Sequence, residues 1–199
     1  MLFRSPGEAK VFILSDSCEA DMPAVPRCPD ETEQPLSLAW RVSLKAVGEK
    51  AFTPTDIVVH GDALPSMNAP DRFQSFVGTY RYEGNFAFGA GNQGDRYFLR
   101  FDSIGDCGAV WVNGKSAGKL FGDHFRVEIT DLLREGENRL RVETTNTPVW
   151  SVKDPVSTQI QLHPTGLTAQ PVLITRKQVV SLKKTTVNMG AVSGSSVEE

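Results

Sequence analysis

The stretch from Phe76 to Asn146 reads FVGTYRYEGNFAFGAGNQGDRYFLRFDSIGDCGAVWVNGKSAGKLFGDHFRVEITDLLREGENRLRVETTN, and its periodicity decides the fold. Tyr80 and Tyr82 fall opposite Thr79, Arg81 and Glu83, and Tyr97, Leu99 and Phe101 fall opposite Phe98 and Arg100. Val110 and Val112 flank Trp111. Phe125, Val127 and Ile129 alternate with His124, Arg126 and Glu128, and Leu140, Val142 and Thr144 alternate with Arg139, Arg141 and Glu143. A period of two sends successive side chains to opposite faces, so each segment is a strand with one apolar and one wet side. Only ITDLLREG approaches helical spacing. The expected fold is all-β, a sandwich of antiparallel sheets.

Outward from this stretch the pattern holds in one further place. In LSLAWRVSL, Leu36, Leu38, Trp40, Val42 and Leu44 share a face opposite Ser37, Ala39, Arg41 and Ser43, which predicts another half-buried strand. Asp56 to His60 is expected to form a short strand. ALPSMNAPDRF reads as loop with a helical turn, and TPVWSVKDPVSTQ as loop. QIQLHPTGLTAQPVLITR reads as one or two closing strands about a turn at Pro164 to Gly166. KVFILS (Lys10 to Ser15) reads as a strand. Asp16 to Pro35, with Pro23, Pro26, Pro29 and Pro35, reads as linker, because proline removes ladder donors and disfavours helix. The expected organisation is an N-terminal strand and linker over 1–35, the sandwich over 36–176, and an extension with a frayed tail over 177–199.

At 199 residues the chain can bury a core without a metal or disulfide staple. A net charge of −3 leaves no electrostatic footprint for nucleic acid, and no run approaches the roughly 18 apolar residues of a membrane span, so neither partner is expected. Cys18, Cys28 and Cys107 form no metal spacing. Cys18 and Cys28 either close a small loop in an oxidising compartment or remain thiols with Cys107. MLFRSPGEAK lacks the apolar core of a secretory signal, which leaves a cytoplasmic protein or a piece of a longer chain.

Gly89, Gly91 and Gly94 in GAGNQG match a dinucleotide fingerprint, but that chemistry needs a helix N-terminus directly after the glycines. Here DRYFLRF follows, a strand by period, so the glycines read as a hairpin loop. His60, His124 and His163 are scattered, no calcium-ligand cluster is identifiable, and no cofactor is expected. Asp102, Asp106, Asp123, Glu128 and Asp131 sit at strand ends and turns, where solvation or capping is the default, and Asp131 is expected to cap a helical turn. Asn113-Gly114 in VNGK predicts a type I′ hairpin, and Gly136 is expected to stop a one-turn helix before the strand that follows. Trp111 and Trp150 remain as ligand candidates, since an indole face stacks on the apolar face of a pyranose while nearby polar groups take the hydroxyls. Packing against a loop or neighbouring domain is the default for each.

The order FVGTYRYEGNF, YFLRFDSIGDCGAVWVNGKSAGKLF, HFRVEITDLLREGENRLRVETTN resembles the sugar-binding, galactose-binding-like jelly-roll domain of glycoside hydrolase family 2 and related α-L-rhamnosidase-like glycosidases. HPTGLTAQPVLI resembles the S-G-L-L-G-P-V segment that closes such modules. Thr165, Gly166, Leu167, Pro171 and Val172 match, while the second glycine is replaced around Ala169 and Gln170. The resemblance covers roughly residues 36–176. It implies a non-catalytic, carbohydrate-associated module of a multidomain glycosidase, with carbohydrate and the parent's catalytic domain as partners and Trp111, His124 and Trp150 near the substrate. It carries over no catalytic residue, and it implies a periplasmic or secreted parent. The alternatives are a stand-alone carbohydrate-binding protein and a small glycosidase using loop carboxylates.

Overall fold

The computed structural model describes residues 30–105, 107–121, 125–151 and 163–177, the Trp150 side chain excepted. Ten strands follow in chain order: β1 (Glu31–Pro35), β2 (Trp40–Ala46), β3 (Thr53–Val59), β4 (Gly78–Phe88), β5 (Arg96–Phe101), β6 (Cys107–Val112), β7 (Lys115–Phe121), β8 (Phe125–Glu128), β9 (Gly136–Thr145) and β10 (Val172–Arg176). Two short 3₁₀ turns, Thr130–Leu132 and Pro148–Ser151, complete the regular structure of the described residues. One sheet has four strands in the order β1-β10-β5-β8, the other six in the order β3-β2-β4-β9-β6-β7. All pairings are antiparallel.

The alternation seen in the sequence becomes rows of side chains between the sheets. Val42, Tyr82, Val142 and Val110 are register partners across β2, β4, β9 and β6, and all four are buried. Leu173, Leu99 and Val127 form the facing row on β10, β5 and β8. Such rows interdigitate between two sheets because each strand turns every second residue inward. Tyr80 and Tyr82 lie in this core, and loss of solvation raises both phenol pKa values.

The closing segment is fixed by polar groups. Gly166 has a φ of +90°, and a Cβ there would lie 2.2 Å from the Tyr82 hydroxyl, so glycine is required. That hydroxyl accepts the Leu167 N–H at 3.1 Å. Gln170, in the part that departs from the family segment, is a buried clamp. Its Oε1 accepts the indole N–H of Trp40 at 2.9 Å, and its Nε2 donates to the carbonyls of Leu38 and Gly61, each at 2.9 Å. The substituted position thus ties the closing segment to the entry of β2.

Four expectations are corrected. Glu31–Pro35 is an edge strand rather than linker. It lies exposed along its whole length, so it carries no burial pattern, and Pro35 stands at its last position, where an edge strand tolerates the missing donor. The Gly89–Gly94 loop is not a hairpin, since it carries the chain from β4 in one sheet to β5 in the other. A strand still follows it. Asp131 lies inside the first 3₁₀ turn, whose N-cap is Ile129 without a side-chain hydrogen bond. That turn also ends at Leu132, before Gly136 opens β9 with a φ of +89°. The VNGK hairpin forms as expected, with Asn113 and Gly114 at φ 52° and 82° between paired Val112 and Lys115. KVFILS, Gln159 to Leu162, the Cys18 and Cys28 pair and the tail lie outside the described residues.

Candidate functional site

The outward side chains of the six-stranded sheet form their own rows. Register pairing sets Arg41 of β2, Glu83 of β4, Arg141 of β9 and Trp111 of β6 on one line across four strands. Asn85 and Arg139 lie on the adjacent line. These residues were legible as the wet sides of their strands, but the line they form depends on non-local register. Local alternation does not encode that.

Trp111 is partly buried, between fully buried Val110 and Val112. The Arg141 guanidinium lies over its ring, 4.1 Å from the centroid. That distance places a cation on the negative face of the indole quadrupole. Arg141 Nε is out of water without a hydrogen bond to a described residue, and Glu143 Oε1 lies 3.8 Å from it. Glu143 Oε1 instead accepts from Arg81 Nε at 2.9 Å. Arg139 donates to Glu83 Oε1 at 2.7 Å. Arg41 and Arg134, both exposed, make no side-chain ion pair with a described residue.

A bracket of two asparagines holds this end of the sheet. Asn138 is fully buried. Its Oδ1 accepts the Arg134 N–H at 2.9 Å and the Asn113 amide at 2.8 Å, while its Nδ2 donates to the Arg134 carbonyl at 2.7 Å. Asn113 also donates to the Leu132 carbonyl at 2.9 Å and accepts from the Arg139 N–H at 3.0 Å. The NG hairpin and the turn before β9 are thereby locked together, placing Arg134 and Arg139 beside Trp111. Asn113 spends its amide on the fold.

Between these groups lies an open concavity of about 360 Å³, lined by Trp111, Arg134, Arg139, Arg141 and Glu83 with the NG turn. A second, of about 630 Å³, shares Glu83 and Arg139 and extends to Arg41 and Val58. The two adjoin at the Glu83–Arg139 pair, and together they make a shallow trough across the sheet.

Of the residues expected at the site, Trp111 lies in this trough, with one ring face taken by Arg141. His124 is outside the described residues. Trp150 belongs to the Pro148–Ser151 turn, and its side chain is not described. Of the three, the described geometry places the side chain of Trp111 alone. Asp102 and Glu128 are engaged by Arg100 and Arg96 respectively, and Asp106 and Asp123 are not described. Among the described residues no three His, Cys, Asp or Glu side chains converge as a metal-ligand set.

Comparison with known proteins places this architecture. Residues 60–191 match the family described as glycosyl hydrolase 2 galactose-binding domain-like, two thirds of the chain. The chain belongs to that family. No curated protein sequence matches it. Among solved structures, the galactose-binding-like sandwich is similar to part of a rhamnosidase from Novosphingobium sp. PP1Y, with 22% identity and a TM-score of 0.58 over 73% of this chain and 15% of that one. A putative β-galactosidase from Bacteroides fragilis gives 23% identity and a TM-score of 0.53 over 74% of this chain and 23% of that one. A Lactobacillus rhamnosus β-glucuronidase gives 22% identity and a TM-score of 0.55 over 73% and 29%. At these identities the likeness is one of fold. The galactose-binding-like chain spans well under half the length of each of these proteins.

Proposed function

We propose that this chain is a non-catalytic, carbohydrate-associated sandwich module of a multidomain glycoside hydrolase acting on plant or host polysaccharide, with the catalytic domain as its partner. The observation that carries the reading is membership of a galactose-binding-like family whose fold recurs as a minor part of glycosidases. The state of the carboxylates supports it. Glycoside hydrolysis needs two acids facing each other across a substrate cleft, one held protonated. Asp102 and Glu128 instead pair with arginines on the outside of a sheet, and Glu31 is held below the ordinary glutamate value of 4.5, chiefly by its bond to Arg176. The division proposed for the module is an N-terminal segment over 1–35, whose Glu31–Pro35 strand adds an edge, a sandwich over 36–176 and an extension over 177–199.

The test is reducing-sugar release by the purified chain from pectic, hemicellulosic and host-type polysaccharides. No release is expected. Release that disappears on Asp102→Asn or Glu128→Gln would instead make the chain a glycosidase in its own right.

A further inference from the structure

The trough on the six-stranded sheet has a charge imbalance that its own residues leave unresolved. Arg41, Arg134, Arg139 and Arg141 line it against Glu83 alone, with Glu143 beside Arg141 at 3.8 Å. Arg139 has taken Glu83, and Glu143 is bonded to Arg81. A guanidinium carries five donors in a rigid fork that fits a carboxylate or sulfate in two parallel bonds. Arg141 is held over the indole before any ligand arrives, and placing a donor in advance lowers the cost of binding. The trough also offers an apolar margin, Trp111 at one end and Val58, 54% exposed, at the other. Its two hollows, of about 360 and 630 Å³, each fall within the range of small-ligand sites, about 300–1,000 Å³.

We propose that this trough binds an anionic sugar, a pyranose bearing a carboxylate or a sulfate, with the acid group on the Arg134, Arg139 and Arg141 cluster and the ring against the Trp111 margin. The inference rests on the carbohydrate association proposed above and adds the ligand class. A neutral sugar would leave the guanidinium excess uncompensated. An acidic protein surface would meet the same charge, but Arg141 held over an indole at a concavity suits a single ring-sized acid better than a broad surface.

Calorimetry on the full chain tests this, with a uronate oligomer, a sulfated oligosaccharide, a neutral oligosaccharide of equal length and poly-glutamate, each at low and high ionic strength. Binding of one or both acidic sugars is expected, weakened by salt, and the two arms assign the group as carboxylate or sulfate. Arg139→Ala and Arg134→Ala, both at exposed side chains, should each weaken it by about tenfold. Arg141→Lys, which keeps the charge and loses the fork, should weaken it comparably. Arg96→Ala on the opposite sheet should leave affinity unchanged. Equal binding of the neutral oligosaccharide, binding of poly-glutamate alone, equal loss in Arg96→Ala, or no acidic sugar bound would each overturn the inference. Absence of binding would leave the accessory-module reading standing, since that reading requires no affinity in isolation.

Discussion

The two outer faces of the sandwich are built from the same residue types and end in opposite states. On the four-stranded sheet every arginine has found a carboxylate. Arg176 and Arg126 bond Glu31 at 2.8 and 3.0 Å, Arg100 holds Glu33 and Asp102, and Arg96 grips Glu128 through two bonds of 2.9 Å. Arg176 lies over Phe98, next to Ile174, which is fully buried. On the six-stranded sheet four arginines line a trough against Glu83 alone, and one of them lies over an indole. A charge lattice that satisfies itself has nothing left for a partner. One with a cation excess and a hollow has donors to spare, which is why the proposed ligand is placed on the six-stranded side.

Breaking the bracket that shapes the open face should have the largest effect. Asn138→Ala strands the Arg134 N–H and carbonyl and one Asn113 donor at a buried position, and a stability loss of about 3 kcal/mol is expected in urea unfolding. Opening the closed face should cost less. Glu31→Gln removes the shared acid of Arg126 and Arg176, and a loss of about 1 kcal/mol follows for an exposed network. The same substitution carries a pH signature. Because Glu31 has a depressed native pKa, its contribution is present above 4.5 and is lost as pH falls through the lowered value. Thermal unfolding scanned downward from pH 5 should therefore fall more steeply for the parent protein than for Glu31→Gln. The smallest effect is expected at Arg41, which has no ion-pair partner among the described residues. Arg41→Ala should shift stability by no more than about 0.5 kcal/mol. A loss comparable to that of Glu31→Gln would show that the open face is also internally paired.

Much of the sandwich was legible because burial writes a period of two into each strand, and LSLAWRVSL and GENRLRVETT carry it plainly. The NG hairpin was legible because only a few residue types take positive φ in succession. Glu31–Pro35 was not, since an edge strand exposed throughout buries nothing and leaves no pattern. Nor was the crossing at Gly89–Gly94, because a loop's glycines report freedom of backbone and not which sheet the next strand joins. At the site, Trp111 stood out by type. Arg41, Glu83 and Arg141 did not, because nearly a hundred residues separate the first from the last and only register aligns them.

Backbone amide chemical shifts followed by NMR during titration with a uronate oligomer test the central claim, that one outer face is spent on the fold and the other is free for an acidic sugar. Perturbations are predicted at β4, β6 and β9 around Glu83, Trp111, Arg139 and Arg141, with β5, β8 and β10 unmoved. Perturbations centred on Arg96, Arg100 and Arg176, or none at all, would contradict it.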